Sequence, residues 1–166
     1  LSRGIVSWIQ STAGGRAAQV GVLALVDSDE EAVEGVIREA SRWPEFMKSL
    51  EVQTQTPTGP GTWELEWKVS VPLGSVRGRS RMVETEAGFD VTTTGGDITN
   101  GRALWSVLPI DDERSLLVHQ TYSDLRAASP WIRALLDAEP LLEHGMLTAA
   151  STVVVSRVRD RAEGHR

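Results

Sequence analysis

Cysteine is absent from the 166 residues, which excludes a disulfide framework, a thiolate metal site and a cysteine nucleophile. The absence does not select a compartment, because a thiol-free chain survives reducing and oxidising surroundings alike; the cytoplasm is favoured and export stays compatible. An excess of positive charge is missing too. Seventeen Lys and Arg stand against 23 Asp and Glu, a net charge of −6, the wrong sign for a phosphate-binding surface, so nucleic acid is not the expected partner. No run approaches the ~18 apolar residues of a membrane span, although transient contact with a membrane surface is compatible with the composition. The three histidines, His119, His144 and His165, fall on a strand, a helix and the charged tail, and their spacing is not one that metals use. No G-x-S-x-G elbow, Walker loop or dinucleotide fingerprint occurs, and Gly95-Gly96 precedes no helix. No metal, cofactor or catalytic residue is therefore assigned.

The length fits a single domain over residues 1–166, with enough chain to bury a real core. The sequence opens on Leu1 rather than a methionine, which points to an excised domain or a processed product, with any export signal upstream.

Two β-rich segments, Gly4 to Gln10 and Arg16 to Asp27, flank the turn Ser11-Thr12-Ala13-Gly14-Gly15 and read as a hairpin. Leu50 to Thr56 reads as a strand broken by Pro57-Thr58-Gly59-Pro60-Gly61. Thr62 to Val71 alternates strictly, with Trp63, Leu65, Trp67, Val69 and Val71 on one face and Glu64, Glu66, Lys68 and Ser70 on the other. After Pro72-Leu73-Gly74-Ser75, the strand Val76 to Thr85 puts Val76, Gly78, Ser80 and Met82 on one face and Arg77, Arg79 and Arg81 on the other. Pairing Val71 with Val76 sets Trp67 opposite Ser80, Val69 opposite Gly78 and Glu66 opposite Arg81. Small residues facing large ones leave concave space on the apolar face, while the arginines form a solvated charge ladder with Glu64 and Glu66. Further strands are expected at Phe89 to Thr94, Gly101 to Pro109 and, after the Asp111–Arg114 turn, Ser115 to Leu125. Consecutive antiparallel strands bracketed by helices indicate an α+β domain.

The first helix carries Ser28 and Glu31 as a capping box and an apolar face of Ala32, Val33, Val36, Ile37 and Ala40. Pro44 ends or kinks it at Trp43, and a short turn with Phe46 and Met47 follows. A second helical region opens at Pro130, and Pro140 restarts it into a long C-terminal helix. On that helix Leu142, Met146, Ala149 and Val153, widened by Ala150 and Val154, form the stripe expected to lie over the sheet. Gly145 and the alanines keep the stripe small, leaving volume beneath it.

The corner Trp43-Pro44-Glu45-Phe46-Met47 resembles the "D-x-x-x-[YW]-P-x-F-[ML]-P" segment of the polyketide cyclase, coenzyme-Q-binding and START-like superfamily, with Lys48 where many relatives have a second proline. The strand pair Gly101 to Pro109 and Arg114 to His119 is similar to that superfamily's "G-x-W-x-[LF]-x-P … [TS]-x-[LV]-x-[YH]". With the terminal helix, the resemblance runs in order through nearly the whole chain. The hairpin before Asp27 looks more like a START-type edge than the shortest cyclase-type members.

The resemblance implies a helix-grip fold, a curved antiparallel sheet wrapped around a long C-terminal helix, enclosing a cavity for an apolar ligand. Trp63, Trp67, Phe89 and Trp105 are strand aromatics that serve equally as core or cavity wall. Arg102, Gln120 and Tyr122 are the polar candidates for its lining, Met146 is the helix's contribution, and Phe46, Met47 and Leu50 with Lys48 would rim an entrance. The face of the Trp105 strand pair that points inward is left open, since Leu104, Leu108 and Leu117 compete with Trp105, Val107 and Val118. His119 reads as a structural or surface residue. The leading function is binding or transport of a lipid, quinone or polyketide-like molecule without covalent chemistry. The alternatives are a polyketide cyclase or dehydratase using Tyr122, His119 or Arg102, and a closed interaction module using Arg77, Arg79 and Arg81.

Overall fold

The computed structural model describes residues 4–71 and 74–165; Leu1 and the Pro72-Leu73 part of the expected turn lie outside the described residues. The strands are β1 (Ile5–Ser11), β2 (Ala17–Val26), β3 (Leu50–Gly59), β4 (Thr62–Val71), β5 (Gly74–Thr85), β6 (Gly88–Gly96), β7 (Gly101–Asp111) and β8 (Arg114–Ser123). They form one curved antiparallel sheet in the order β1-β2-β8-β7-β6-β5-β4-β3. Among the described residues, six of the seven strand pairings join consecutive strands and are legible as hairpins, while the β2–β8 pairing joins segments distant in sequence.

The β1–β2 hairpin follows its turn sequence, with Gly15 at φ 74° in the left-handed region that glycine occupies at little cost. Strand β3 runs on through Pro57 instead of breaking there. It is the last strand of the sheet, and an edge tolerates a residue without an N–H.

The β4–β5 register differs from the expected one by two residues: Val69 faces Val76, Trp67 faces Gly78, Leu65 faces Ser80 and Glu64 faces Arg81. A shift of two keeps every side chain on its expected face. The strands extend closer to the turn than anticipated, with Val71 paired to Gly74.

Helix α1 (Glu30–Arg38) is capped by Asp29, whose Oδ1 accepts from the Ala32 N–H at 2.8 Å. The Ser28/Glu31 capping box is thus corrected by one residue. Ser28 is engaged elsewhere, its carbonyl accepting the Ser115 hydroxyl at 2.9 Å. The helix stops before Trp43, and a 3₁₀ turn (Ala40–Glu45) carries the chain through Pro44. The Trp43 indole N–H donates to the Val36 carbonyl at 2.9 Å, clamping the corner to the end of α1. Val33, Ile37 and Ala40 are fully buried, as their spacing predicts.

Helix α2 (Pro130–Ala138) and the long helix α3 (Leu141–Ala162) follow β8. Helix α3 packs on β2, β8, β1 and α1, so it covers one half of the sheet and leaves the β3–β6 half open. Its buried face is Glu143, Leu147, Ser151, Val155 and Val158, not the Leu142–Met146–Val153 stripe, and Met146 is 44% exposed. Burying a glutamate works here because Arg126 and Arg16 converge on it. Val20, Val22, Ala24 and Val26 of β2 meet Val155 and Val158 in the core, each fully buried apolar side chain contributing about 1.5–3 kcal/mol.

Candidate functional site

Between the open half of the sheet and the edge of α3 lies a cavity of about 230 Å³. Trp43, Trp67 and Trp105 supply its aromatic wall, with Leu50, Val52, Leu65, Val69, Val91 and Val154 as aliphatic lining. A wider mouth of about 540 Å³ adjoins it, bounded by Phe46, Met47, Ala149, Ala150 and Val153. Leu50, Val69 and Val154 line both spaces, so mouth and cavity form one passage. Together they reach the ~300–1,000 Å³ range of small-molecule sites.

The aromatic wall is locked from several sides. Trp43 meets Trp105 edge to face, with ring centroids 6.2 Å apart at 62°. Trp67 lies across Gly78, where an added Cβ would come within 2.1 Å of its ring. The Trp67 indole N–H donates to the Ser80 hydroxyl at 2.9 Å. Large aromatics bury extensive apolar area with few rotatable bonds, which suits a preformed wall.

The polar groups gather on β5, β6 and β8: Ser80, Thr93, His119, Thr121 and Ser123. The His119 ring stacks on Trp105 with centroids 4.1 Å apart, and its buried Nδ1 has no hydrogen-bond partner among the described residues. Desolvation lowers the pKa of this imidazole to about 4, so it is neutral at physiological pH and offers one donor and one acceptor nitrogen. The Thr121 hydroxyl donates to the Arg102 carbonyl at 3.1 Å, keeping its oxygen lone pairs available. The Ser80 oxygen, which accepts from Trp67, retains a proton to donate. The site is therefore an apolar slot with a small cluster of neutral hydrogen-bonding groups on one wall.

No family model matches the sequence, and no curated protein matches it significantly. Solved structures do. A protein from Thermus thermophilus superposes with a TM-score of 0.72 at 16% identity, covering 87% of this chain and 96% of the other. The ZhuI aromatase/cyclase from a Streptomyces species gives 0.63 at 16% identity, with 87% and 93% covered. A STAR-related lipid transfer protein from Xanthomonas axonopodis gives 0.71 at 12% identity, covering 96% of this chain and 93% of the other. The chain has the START-like helix-grip fold.

Within this START-like fold the sequence-derived candidates separate into three groups. Trp67, Trp105 and the backbone region of Arg102 border the cavity, and Phe46 and Met47 border its mouth. Trp63 and Phe89 belong to the packed interior rather than the cavity wall. Phe89 is 1% exposed beneath the Arg38 guanidinium, 5.6 Å from its ring centroid, and Trp63 packs against the core opposite Met82. Gln120 and Tyr122 alternate with His119, Thr121 and Ser123 along β8 and so point away from the cavity. Gln120 accepts instead from the Gln19 side chain at 3.1 Å. Met146 lies outside the passage, for the reason given by the buried face of α3.

The Arg102 guanidinium is committed to Asp90, with contacts of 3.0 and 2.6 Å on the exposed face, and this ion pair holds the Asp90 carboxyl below its usual pKa. The inward face of the β7–β8 pair combines Trp105 and Val107 with Leu117 and His119. The sequence reading set His119 aside as structural or surface; an inward strand position opposite a tryptophan is the signal that would have found it. Arg81 pairs with Glu64 at 2.9 Å, as the charge ladder predicts. Asp160, Glu163 and His165 come within 4.8 Å of one another at the end of α3, but Asp160 is paired with Arg159, and Glu163 with the Asp27 N–H and His165.

Gly78→Ala is expected to displace the Trp67 ring, break its bond to Ser80 and destabilise the fold by about 1–3 kcal/mol. Thermal unfolding together with a shift in tryptophan emission checks this. An unchanged spectrum would mean that Trp67 is not held across Gly78.

Proposed function

We propose that residues 1–166 act as one START-like domain that binds or carries a hydrophobic small molecule, a lipid, quinone or polyketide-like compound, in the passage between sheet and α3. The observation that carries the reading is an open slot walled by Trp43, Trp67 and Trp105 whose neutral polar groups sit together on one side. Burial of apolar ligand surface, at about 25 cal/mol per Å², would supply the affinity. The His119, Ser80 and Thr121 cluster would fix the orientation of one ligand hydroxyl or carbonyl. The likeness in fold to a lipid transfer protein supports the same reading. Nucleic acid remains disfavoured by the net charge of −6. No helix among the described residues is long and apolar enough to cross a membrane.

One observation favours cyclase or dehydratase chemistry as a second reading. His119 is neutral at physiological pH and its Nδ1 is unpartnered among the described residues on a side chain that lines the cavity, which supports it as the candidate general base. Tyr122 and the Arg102 guanidinium face elsewhere, which leaves this reading on His119 alone. The passage that opens through the mouth supports a ligand site in preference to a closed interaction module.

Mass spectrometry of the organic extract of protein purified from its host separates the readings. A stoichiometric, chemically unaltered hydrophobic molecule is the expected result for a carrier. A clean extract, with no quenching of tryptophan emission by lipids or quinones, would overturn the carrier and shift weight to a transient substrate.

A further inference from the structure

We infer that the ligand of this passage is an acidic amphiphile, bound with its apolar body inside and its carboxylate or phosphate at the mouth between Lys48 and Arg157. The inference rests on the hydrophobic-ligand reading and adds the charge and direction of the ligand.

Lys48 and Arg157 both border the mouth, one on the segment after the 3₁₀ turn and the other on α3. The same two residues also line the adjoining surface groove beyond the mouth, which places both on the rim. Neither forms an ion pair among the described residues, although Lys48 lies near enough to Glu45 to help Arg42 hold that carboxyl below its usual pKa. The Lys48 ammonium donates to the Glu45 backbone carbonyl at 3.0 Å, and Arg157 makes no hydrogen bond or ion pair there. The acidic groups nearby are already committed. Glu45 is held by Arg42 at 2.9 Å and by Arg161 at 2.8 Å, Asp160 pairs with Arg159 at 3.3 Å, and Glu51 pairs with Lys68 at 3.1 Å. Two cations without an ion-pair partner among the described residues stand beside an apolar opening in a chain of net charge −6, where surface charge as a whole repels anions.

Among the described residues that line the cavity, no uncommitted cation competes for an anion. The Arg102 guanidinium is occupied by Asp90, and His119 carries no charge at physiological pH. An anionic group carried inward would be desolvated without a counter-charge, a cost that its apolar surroundings could not offset. At the rim the same group keeps partial hydration and gains two charge-assisted hydrogen bonds beside Phe46, Met47 and Val153, whose low polarity strengthens the attraction.

The test uses two matched probe pairs below their aggregation concentrations: cis-parinaric acid against its methyl ester, and 1-pyrenebutyric acid against 1-pyrenebutanol. Affinity is read by probe fluorescence and by quenching of the cavity tryptophans. The acids are expected to bind about tenfold more tightly than their neutral partners. That margin should shrink with added salt and vanish in the Lys48→Gln/Arg157→Gln double variant, while the neutral probes bind unchanged.

Equal binding of acid and neutral probe to the unaltered protein would overturn the inference and leave the hydrophobic-ligand reading standing. Failure of all four probes would overturn both. Binding to phosphatidylglycerol vesicles that depends on Lys48 and Arg157, without uptake of monomeric acid, would overturn it in favour of a membrane surface. Unchanged thermal unfolding of the double variant excludes a folding defect as the cause.

Discussion

Replacing Arg126 with methionine is expected to destabilise the protein by about 3–5 kcal/mol, the cost of leaving a buried charge without its partner. The Glu143 side chain is 1% exposed and that of Arg126 is 11% exposed, so water cannot take over the lost interaction. Arg126 Nη1 donates to Glu143 Oε1. Its Nη2 donates to the Leu136 carbonyl at 2.9 Å, and its Nε to Asp137 at 3.1 Å. One guanidinium therefore joins the 3₁₀ turn Leu125–Ala127, the end of α2 and the first turn of α3. The other carboxylate oxygen, Glu143 Oε2, is already buried without a hydrogen-bond partner among the described residues, so little reserve exists to absorb the loss.

Arg16 reaches Glu143 only at 3.9 Å and is 48% exposed. Arg16→Met should accordingly cost less than about 1 kcal/mol. The double variant Arg126→Met/Glu143→Leu should recover most of the stability, because an apolar pair removes both desolvation costs. Urea denaturation at constant m-value measures all three. A loss below about 1 kcal/mol for Arg126→Met would show that Glu143 finds solvent or another donor.

The second large effect concerns acid. His119 has a folded pKa of about 4, lowered by desolvation from an ordinary value of 6.5. The unfolded chain therefore takes up a proton at this position first as pH falls, and protonation favours unfolding. The folded state loses stability progressively between pH 6.5 and 4, by about 3 kcal/mol in total for a shift of this size. His119→Phe keeps a flat ring against Trp105 and removes the proton. The stability difference between the unaltered protein and this variant should be level above pH 7 and should fall steeply below 6.5. A difference independent of pH would mean that a donor or water stabilises the imidazolium in the cavity. The subtraction also removes the shared titration of the surface carboxylates Asp90 and Asp111, whose arginine partners hold their pKa values low.

The cavity joins these two effects to the proposed function. Arg126 and Glu143 seat the start of α3 over one half of the sheet, and that seating leaves the other half open as the ligand passage. His119 is destabilised by the same dryness that would let it make a strong hydrogen bond to a bound ligand. A ligand acceptor that pairs with an Nδ1–H should favour the imidazolium and flatten the acid dependence, whereas a ligand donor to a bare Nδ1 should deepen it, which links stability measurements to occupancy of the site.

Much of the architecture is legible along the chain because it depends on local periodicity. The alternation of Thr62 to Val71 placed Trp67 on the inward face, and the Trp43-Pro44 corner marked the end of the helical segment. The spacing of Val33, Ile37 and Ala40 identified a buried face that the structure reproduces. Where the reading slipped by one or two residues, at the Asp29 cap and in the β4–β5 register, two local solutions of nearly equal quality competed. Neighbouring Ser28 and Asp29 are both good caps, and strand register depends on how many residues a turn consumes.

The candidate site was less visible for a different reason. The buried face of α3 carries Glu143 and Ser151, so hydrophobicity pointed to the wrong quarter of the helix. Only the arrival of Arg126 and Arg16 from distant segments makes that face buryable. Phe89 and Trp105 look alike as strand aromatics, yet one lies beneath Arg38 and the other faces the cavity. His119 was indistinguishable from a surface histidine until β7 set it against Trp105. Residue order thus specified the strands, the helices and the antiparallel class, since each follows from interactions within a few residues. The packing of α3 and the strand registers decided which faces are buried and which line the passage, because burial and charge compensation depend on partners that only folding brings together.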